Sequence, residues 1–257
     1  TRSLEKTYQT KSFFGRSRTV KVANDISFEI RRGETLGIVG ESGSGKSTVA
    51  RCIARLVDPS AGEIRINETN IAEISQRAYR PLRKHIQIVF QDPYRSLNPR
   101  QTIGRAIAEG PMNYGLRRVE ATARASNLLS LVGLDPKALS RYPHQFSGGQ
   151  RQRICIARAL AMEPDVLVAD EPVSALDVSV QAQVLELLKD LQAKFELAIL
   201  FITHDLRVAA QVSDNIAVMY QGNIVEQGPT EAIFESPKHE YTKRLFNAAP
   251  GRKWSFS

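Results

Sequence analysis

The chain has 257 residues, of which 42% are hydrophobic, so it can bury a substantial core within one domain. No stretch approaches the roughly 18 consecutive apolar residues of a membrane-spanning helix, and the opening TRSLEKTYQT lacks the apolar core of a signal peptide, which predicts a soluble, cytoplasmic protein. The formal net charge is +8, but the basic residues are scattered without interleaved aromatic side chains, as is typical of solvated faces rather than of a nucleic-acid-binding surface.

The first part of the chain has the periodicity of a strand, loop and helix unit. A stretch that alternates apolar and polar residues is separated by a turn at Gly33 from a fully apolar run, and a helical pattern follows that ends before Pro59. Cys52 lies in that helix among apolar neighbours, as Cys155 does in a later one, so both are predicted to be small buried hydrophobes. The elements predicted here are strands over 20–30, 35–39 and 63–66 and a helix over 47–56.

The rest of the chain has a long helical stretch followed by strands that alternate with helices. The helical stretch, at about 92–162, is predicted to be a subdomain inserted into the core of a single domain spanning 1–257. The alternation implies a mostly parallel sheet that is covered on both faces, and a turn at Gly222 predicts a final hairpin. The elements predicted here are strands over 86–90, 166–169, 198–202, 216–220 and 223–227, and helices over 180–195 and from 205 onward.

The glycine-rich segment GESGSGKST, at 40–48, matches the phosphate-loop pattern G-x-x-x-x-G-K-[ST] between a predicted strand and a predicted helix. Glycines let successive backbone NH groups converge on the β and γ phosphates, and the start of the next helix adds partial positive charge. We predict that Lys46 contacts the phosphates, that Ser47 ligates Mg²⁺ and that Thr48 adds a phosphate contact. The alternative is a plain glycine turn that caps a helix.

The segment VLVADEP, at 166–172, is an apolar run that ends in two acids at the carboxyl edge of the predicted sheet. Ligands of open parallel sheets bind at this edge. We therefore predict that Asp170 holds the Mg²⁺ shell and that Glu171 polarises the water that attacks the γ phosphate. The alternative, two solvated acids at a strand end, is weakened because the phosphate loop follows a neighbouring strand.

A third segment, FSGGQRQR at 146–153, places Ser147, Gly148 and Gly149 at the predicted start of a helix. There a serine hydroxyl and two glycine NH groups can form a second phosphate cradle, although SGGQ by itself is equally consistent with an ordinary helix cap. The segment resembles the signature motif of the ABC ATPases, with Phe146 in place of the more usual leucine.

Further motifs follow the order of the same family: Gln91 after a strand, the SALD segment that ends at Asp177, and His204 at the end of a strand. A lone histidine is more often structural than catalytic, but its position in this series favours a role in the site. The resemblance implies a P-loop NTPase fold of α/β class. Its parts would be a mostly parallel central sheet in a RecA-like core, an antiparallel β subdomain and a helical subdomain that carries the signature motif.

The resemblance also implies ATP and Mg²⁺ as cofactors and a head-to-tail dimer, in which the signature motif of one subunit closes over ATP held by the phosphate loop of the other. Gln91 would sense Mg²⁺ and the separate membrane permease that ATPases of this family drive. Asp177 would contact the second subunit, and His204 would contact the γ phosphate. Catalysis is assigned to Glu171, His204 and Gln91, ATP binding to Gly40, Glu41, Ser42, Gly43, Ser44, Gly45, Lys46, Ser47 and Thr48, the signature to Ser147, Gly148, Gly149 and Gln150, and Mg²⁺ binding to Ser47, Gln91 and Asp170.

The family stacks an aromatic side chain on adenine, upstream of the first strands. Tyr8 is our choice for this residue, with Phe13 and Phe14 as rivals, and plain packing is an equal alternative for all three.

Two segments, at 91–109 and 234–250, resemble the dipeptide and oligopeptide importer branch of the family. This resemblance implies a peripheral subunit on the cytoplasmic face of the inner membrane that powers import of peptides through separate permease subunits. Its partners would be those permease subunits, an identical or paralogous second ATPase subunit and, indirectly, an extracytoplasmic solute-binding protein. Tyr94 and Leu97 would anchor the permease, unless the loop is a plain proline-rich surface loop.

Other functions stay open at this point. An efflux ATPase of the same family is one alternative, a nucleic-acid-associated ABC ATPase is another, and a nucleotide-binding regulator without turnover is a third. The cysteine-bearing tail of many importer relatives, which is associated with an iron–sulfur cluster, does not follow the last segment, so no cluster is expected. Because the first residue is Thr1 rather than methionine, we also expect a trimmed piece or one half of a tandem protein.

Overall fold

The computed structural model describes residues 1–11 and 17–248. The chain divides into two compact units, one formed by Thr1–Arg80 with the segment from Ala198 onward and the other by Pro81–Leu197. Within the described ranges no helix is both long and apolar enough to span a membrane.

The helices and strands are numbered in chain order. The first unit begins with β1 (Arg2–Lys11), β2 (Ser17–Ile26), β3 (Thr35–Val39), α1 (Lys46–Ile53), β4 (Ala61–Glu63), β5 (Arg65–Ile66), β6 (Thr69–Asn70) and α2 (Gln76–Tyr79), and a 3-10 helix follows at Arg80–His85. The second unit contains β7 (Ile86–Val89), α3 (Pro93–Ser96), α4 (Ile103–Asn113), α5 (Arg118–Leu131), 3-10 helices at Pro136–Ser140 and Pro143–Gln145, α6 (Gly148–Leu160), β8 (Val166–Asp170) and α7 (Val178–Phe195). The first unit resumes with β9 (Ala198–Thr203), α8 (Leu206–Val212), β10 (Asn215–Tyr220), β11 (Asn223–Pro229), α9 (Thr230–Glu235) and α10 (Glu240–Ala248).

The first unit contains two main sheets. An antiparallel sheet has the strand order β2-β1-β4, and the second sheet places β11, β10, β3 and β9 side by side. In the second sheet β3 pairs in parallel with both β10 and β9, and only the β10–β11 hairpin is antiparallel. Every residue of β3 and β9 is buried, which explains why both strands have apolar rather than alternating sequences.

A hydrophobic cluster in the first unit joins the end of β3 to the C-terminal helices. It includes Val39 at the end of β3, Ile216 and Val218 of β10, and the stacked rings of Phe234 and Phe246, whose centroids are 4.6 Å apart. Because the strand that precedes the phosphate loop packs into this cluster, the loop starts from a rigid position.

The second unit holds a parallel strand pair and the helices that follow it. β7 and β8 pair in register, with Val89 opposite Ala169. The start of this pair is fixed by His85 and Asp165, since His85 Nδ1 lies 2.6 Å from Asp165 Oδ2 and the Asp165 amide donates to the His85 carbonyl at 3.0 Å. Helices α4, α5 and α6 pack against one another, and α6 also packs against β7.

The structure confirms the predicted α/β class: pairing is mostly parallel in the β11-β10-β3-β9 sheet of the first unit, it is parallel between β7 and β8 of the second unit, and the β2-β1-β4 sheet is antiparallel. It also confirms the final hairpin and the burial of Cys52 and Cys155, where burial raises the pKa of each thiol to about 11. The strand predicted over 20–30 was wrong at its end, since β2 stops at Ile26, and the strand predicted over 63–66 was wrong because β4 and β5 are separate strands in different sheets. The elements β1, β6, α2, α9 and α10 were not predicted.

Helices α3 to α6 fall inside the stretch predicted at about 92–162. They belong to the second compact unit together with β7, β8 and α7. That they form a subdomain inserted into one domain spanning 1–257 stays a prediction.

Candidate functional site

The phosphate-loop sequence forms a tight turn between β3 and α1. Its first turn is closed by the Ser44 amide, which donates to the Glu41 carbonyl at 3.2 Å, and α1 begins where the Thr48 and Val49 amides reach the Gly45 carbonyl. Gly45 has a φ of 106°, and a Cβ there would overlap the Val22 carbonyl oxygen. Glycine is required at this position on both counts, because an L side chain rarely adopts that φ and has no space to occupy.

Lys46 is the chemical centre of this loop. Its side chain is only 5% exposed, and Nζ donates to the carbonyl oxygens of Gly40 at 2.7 Å and Glu41 at 2.8 Å. The Ser44 hydroxyl accepts a longer bond from Nζ, at 3.4 Å. A buried ammonium ion needs such oxygen partners, and an anionic phosphate oxygen is a stronger acceptor for it than a neutral carbonyl.

His204 lies beside the phosphate loop along the same sheet edge. Thr203 is the register partner of Val39 in the parallel β3–β9 pair, so the residues that follow them, His204 and Gly40, leave the sheet at neighbouring positions. The His204 side chain is exposed. The structure therefore places this predicted site residue where it can reach a ligand of the loop.

Asp205 holds the turn that carries His204. Its side chain caps α8 by accepting from the Arg207 amide at 2.9 Å, and its own amide donates to the Thr203 hydroxyl at 3.0 Å. Burial raises the pKa of the Asp205 carboxyl, but the hydrogen bonds from Arg207 outweigh burial and leave this pKa below its ordinary value.

Tyr8, the predicted adenine-stacking residue, is 38% exposed on β1. Its register partner is Val20, which is 39% exposed, and Lys6 Nζ lies 5.0 Å from the Tyr8 ring centroid. Val20 is two residues from Val22, which contacts the phosphate loop, so about 7 Å of strand separates them. The assignment to Tyr8 stays a prediction, and its rivals Phe13 and Phe14 lie outside the described residues.

The second unit brings Gln91 and Glu171 together. Gln91 lies two residues after Val89, and Glu171 lies two residues after Ala169, the register partner of Val89, so parallel pairing delivers both side chains to one edge. Gln91 Nε2 donates to Glu171 Oε2 at 3.1 Å. The sequence predicted both residues for the site but not this direct contact.

Glu171 and Asp170 have different environments although they are adjacent. Asp170 is the last residue of β8 and is only 6% exposed, whereas Glu171 is partly exposed in a turn at φ 50°. The Ser174 amide and hydroxyl donate to the Glu171 carbonyl at 3.3 and 3.1 Å. A non-glycine residue in the left-handed region costs about 1–3 kcal/mol, and such strain is concentrated at functional sites.

The signature segment forms the start of α6 and is also a complete capping box. Ser147 Oγ accepts from the Gln150 amide at 3.3 Å, and Gln150 Oε1 accepts from the Ser147 amide at 3.0 Å. The helix-cap interpretation of SGGQ is thus confirmed as its role in the folded chain. Because α6 is 13 residues long, its capped start also carries partial positive charge, which a phosphate group would meet favourably.

Gly149 is required by packing between α6 and α7. A Cβ on Gly149 would overlap Val180 Cγ1, whereas one on Gly148 would lie 3.5 Å from Leu176 and 3.9 Å from the Tyr94 hydroxyl, at ordinary contact distance. Asp177, the predicted dimer contact, precedes α7 and is exposed. Its assignment to a subunit contact stays a prediction.

The loop after Gln91 corrects one expectation. Tyr94 is 61% exposed, as a permease anchor requires, and the guanidinium of Arg151 lies 4.0 Å from its ring centroid. Leu97 is only 3% exposed, so it packs inside the second unit and is not available as an anchor. An apolar residue in a proline-rich loop is as well suited to hold the loop down as to face a partner, and the sequence does not distinguish the two.

Sequence reasoning missed two contacts to the phosphate loop. The Gly222 amide donates to the Ser44 carbonyl at 3.0 Å, and the Glu41 amide donates to the Tyr241 hydroxyl at 3.2 Å. A hairpin turn was predicted at Gly222, and Tyr241 lies in the segment 234–250, which resembles the importer branch of the family. The first contact joins residues that are 178 positions apart (222 − 44) and the second joins residues that are 200 positions apart, so no local pattern in the sequence indicates either contact.

The two signature glycines give a matched test of packing. Gly149→Ala should destabilise the chain by about 1–3 kcal/mol because the added methyl overlaps Val180. Gly148→Ala should change stability by less than about 1 kcal/mol, since alanine is a better helix former and has room there. Urea unfolding followed by circular dichroism measures both, and equal midpoints for the two variants would contradict the packing argument.

Comparisons with known proteins agree with this arrangement. The family model described as ABC transporter matches residues 23–174. The glutathione import ATP-binding protein GsiA of Salmonella typhi is 54% identical over 235 residues, which are 91% of this chain, and the chain spans 38% of the length of that relative. A Brucella ovis protein named provisionally for peptide import and ATP binding is 49% identical over 250 residues, which are 97% of this chain and 77% of that protein.

Solved structures give the same result. The ATP-binding cassette MJ0796, solved as a dimer in a post-hydrolysis state with ADP and Pi, has a TM-score of 0.78 at 29% identity, covering 89% of this chain and 97% of that one. The cbiO1 protein of Clostridium perfringens, part of the ABC transporter complex cbiONQ, has a TM-score of 0.77 at 29% identity, covering 97% of this chain and 96% of that one. This chain is therefore a member of the ABC transporter family.

Proposed function

We propose that this chain binds and hydrolyses ATP and thereby powers import of a solute, a peptide or peptide-like molecule, through a separate membrane permease. The observation that carries the proposal is the phosphate loop, in which the ammonium of Lys46 is buried among oxygen acceptors and the loop amides precede the start of α1. Phosphate oxygens can replace the carbonyl acceptors of Lys46 and gain charge-assisted hydrogen bonds. The names of the glutathione and peptide import relatives support the transport role.

The hydrolytic role is assigned to Glu171. In this proposal its carboxylate polarises a water molecule whose oxygen attacks the γ phosphorus, the bond between the β and γ phosphates breaks, and the water proton passes to the carboxylate. The hydrogen bond from Gln91 fixes one carboxylate oxygen at 3.1 Å and leaves the orientation of the group defined. His204, exposed at the edge beside Gly40, would contact the γ phosphate.

The donor set also fits Mg²⁺. Ser47, Gln91 and Asp170 offer a hydroxyl, an amide carbonyl and a carboxylate oxygen, which are hard ligands of the kind that this ion prefers. Asp170 is nearly buried at the end of β8, so little solvent would screen its attraction to a bound Mg²⁺ ion. When bound with ATP, Mg²⁺ would neutralise charge on the phosphates.

The second nucleotide contact is assigned to a second subunit. Ser147, Gly148, Gly149 and Gln150 form the capped, electropositive start of α6, and we propose that it closes over ATP held by the other subunit, with Asp177 at the dimer contact. The dimeric cassette structure supports this arrangement. The permease would dock on the segment after Gln91, where Tyr94 is exposed, and this docking would place the subunit on the cytoplasmic face of the membrane. A solute-binding protein outside the membrane would take part only through the permease.

Replacing the proposed base separates binding from turnover. Glu171→Gln should retain ATP affinity but lower the rate of hydrolysis by about 100-fold or more, and should trap an ATP-bound dimer that size-exclusion chromatography detects. Glu186→Gln, at an exposed position of α7, makes the same change of charge and should hydrolyse ATP at the original rate. Undiminished hydrolysis by Glu171→Gln would remove Glu171 from the base role.

Removing the loop ammonium should act on binding itself. Lys46→Ala is expected to weaken ATP binding by about 10-fold or more, since at least one charge-assisted hydrogen bond to phosphate is lost. Titration calorimetry measures this affinity, and Lys137→Ala, which removes an exposed lysine, is the matched control. Equal ATP affinity of the Lys46 variant and the unaltered chain would contradict the phosphate-loop assignment.

The transport role is tested by reconstitution. Hydrolysis by the purified chain should increase when the chain is assembled with the permease encoded beside it in lipid vesicles, and should increase again when peptide and its binding protein are added. Stimulation by RNA or DNA, with none by permease, would contradict the import proposal and favour a nucleic-acid-associated ATPase.

A further inference from the structure

The C-terminal segment that resembles the importer branch reaches back to the phosphate loop. The Glu41 amide donates to the hydroxyl of Tyr241, a residue of α10, at 3.2 Å. Tyr241 is only 3% exposed and belongs to the hydrophobic cluster that contains Val39 at the end of β3. The proposed function assigns no role to this segment, although the segment contacts the phosphate loop.

The contact falls on a peptide unit that Lys46 also uses. The Glu41 amide and the Gly40 carbonyl belong to the same planar peptide, and Lys46 Nζ donates to that carbonyl at 2.7 Å. The Tyr241 hydroxyl therefore binds the NH group of this peptide, and the Lys46 ammonium binds its carbonyl group. An amide that is hydrogen-bonded at its NH is also a more polarised acceptor at its carbonyl.

The ring of Tyr241 is itself fixed by two sets of contacts. It stacks on Tyr220 with centroids 4.0 Å apart and planes 29° apart, and Tyr220 precedes the turn from which Gly222 reaches the Ser44 carbonyl. At the start of α10, the Tyr241 amide donates to His239 Nδ1 at 3.1 Å.

Glu226 of β11 anchors the same helix start. Its carboxylate accepts from the amides of Lys238 at 2.7 Å and His239 at 3.0 Å. Burial raises the pKa of Glu226, but the hydrogen bonds from the Lys238 and His239 amides and the charge of His239 act against burial, and the pKa lies below its ordinary value. The carboxylate thus stays ionised and keeps the helix start in place at neutral pH. Burial raises the pKa of Tyr241, so the hydroxyl stays protonated and its oxygen accepts as a neutral group.

We propose that Tyr241 is a positioning residue of the phosphate loop, which holds the peptide between Gly40 and Glu41 in the orientation that Lys46 and the nucleotide require. The C-terminal helix thereby sets the affinity of the loop for nucleotide. The inference rests on the proposed function, since it assumes that the loop binds ATP. It predicts an effect on nucleotide affinity and on loop order, and none on the chemical step.

Tyr241→Phe removes the hydroxyl and keeps the ring stack, so the fold should persist. We expect Mg-ATP to bind about threefold to tenfold more weakly, because one hydrogen bond that orders the loop is lost, with kcat unchanged at saturating ATP. Hydrogen exchange of the nucleotide-free chain should become faster in peptides that contain Glu41. Tyr220→Phe is the matched control. Within the described residues, the Tyr220 hydroxyl accepts one hydrogen bond, from Gln221 Nε2 at 3.1 Å, and makes none to the phosphate loop. Loss of this hydroxyl should leave both ATP affinity and hydrogen exchange unchanged.

Weaker ATP binding with faster exchange at Glu41 in Tyr241→Phe, and neither in Tyr220→Phe, supports the inference. Unchanged ATP affinity in Tyr241→Phe, an effect of equal size in both variants, or a fall in kcat without a change in KM would overturn it. Failure of the unaltered chain to bind ATP would instead overturn the proposed function, and exchange at Glu41 would still show whether Tyr241 orders the loop.

Discussion

The buried ammonium of Lys46 is the interaction on which the candidate site depends. A charge at 5% exposure is stable only among well-placed oxygen atoms, and the phosphate loop supplies them through the carbonyls of Gly40 and Glu41. The loop must therefore turn so that these two carbonyls face Lys46 Nζ. The positive φ of Gly45 makes this turn possible, and the rigid β3 fixes where it begins.

The same residues often serve both the fold and the site. Ser147 and Gln150 close a capping box that stabilises α6, and the cap leaves the start of that helix electropositive for a phosphate group. Gly149 is needed for α6 to pack on α7, so a substitution that harms packing would also harm the motif. A substitution in this segment would therefore affect both the stability of the fold and the proposed phosphate contact, and stability measurements separate the two effects.

Parallel strand pairing explains how distant residues come to share an edge. In one unit β3 and β9 bring Gly40 and His204 to neighbouring positions, and in the other β7 and β8 bring Gln91 within hydrogen-bonding distance of Glu171. In each case the two residues lie the same number of positions beyond a pair of register partners, so the register determines which residues meet. The strained φ of Glu171 is a cost of this placement that the turn to Ser174 offsets in part.

The sequence by itself determined the elements that local chemistry specifies. Glycines and a lysine between an apolar run and a helical pattern defined the phosphate loop, an apolar run before two acids defined the end of β8, and SGGQ defined the start of α6, because each depends on neighbours within a few residues. The tertiary structure alone decided which of these residues touch, that Leu97 is buried rather than presented to a partner, and that Tyr241 meets Glu41. These contacts depend on strand register and on packing between segments up to 200 residues apart, which leave no periodic trace in the chain.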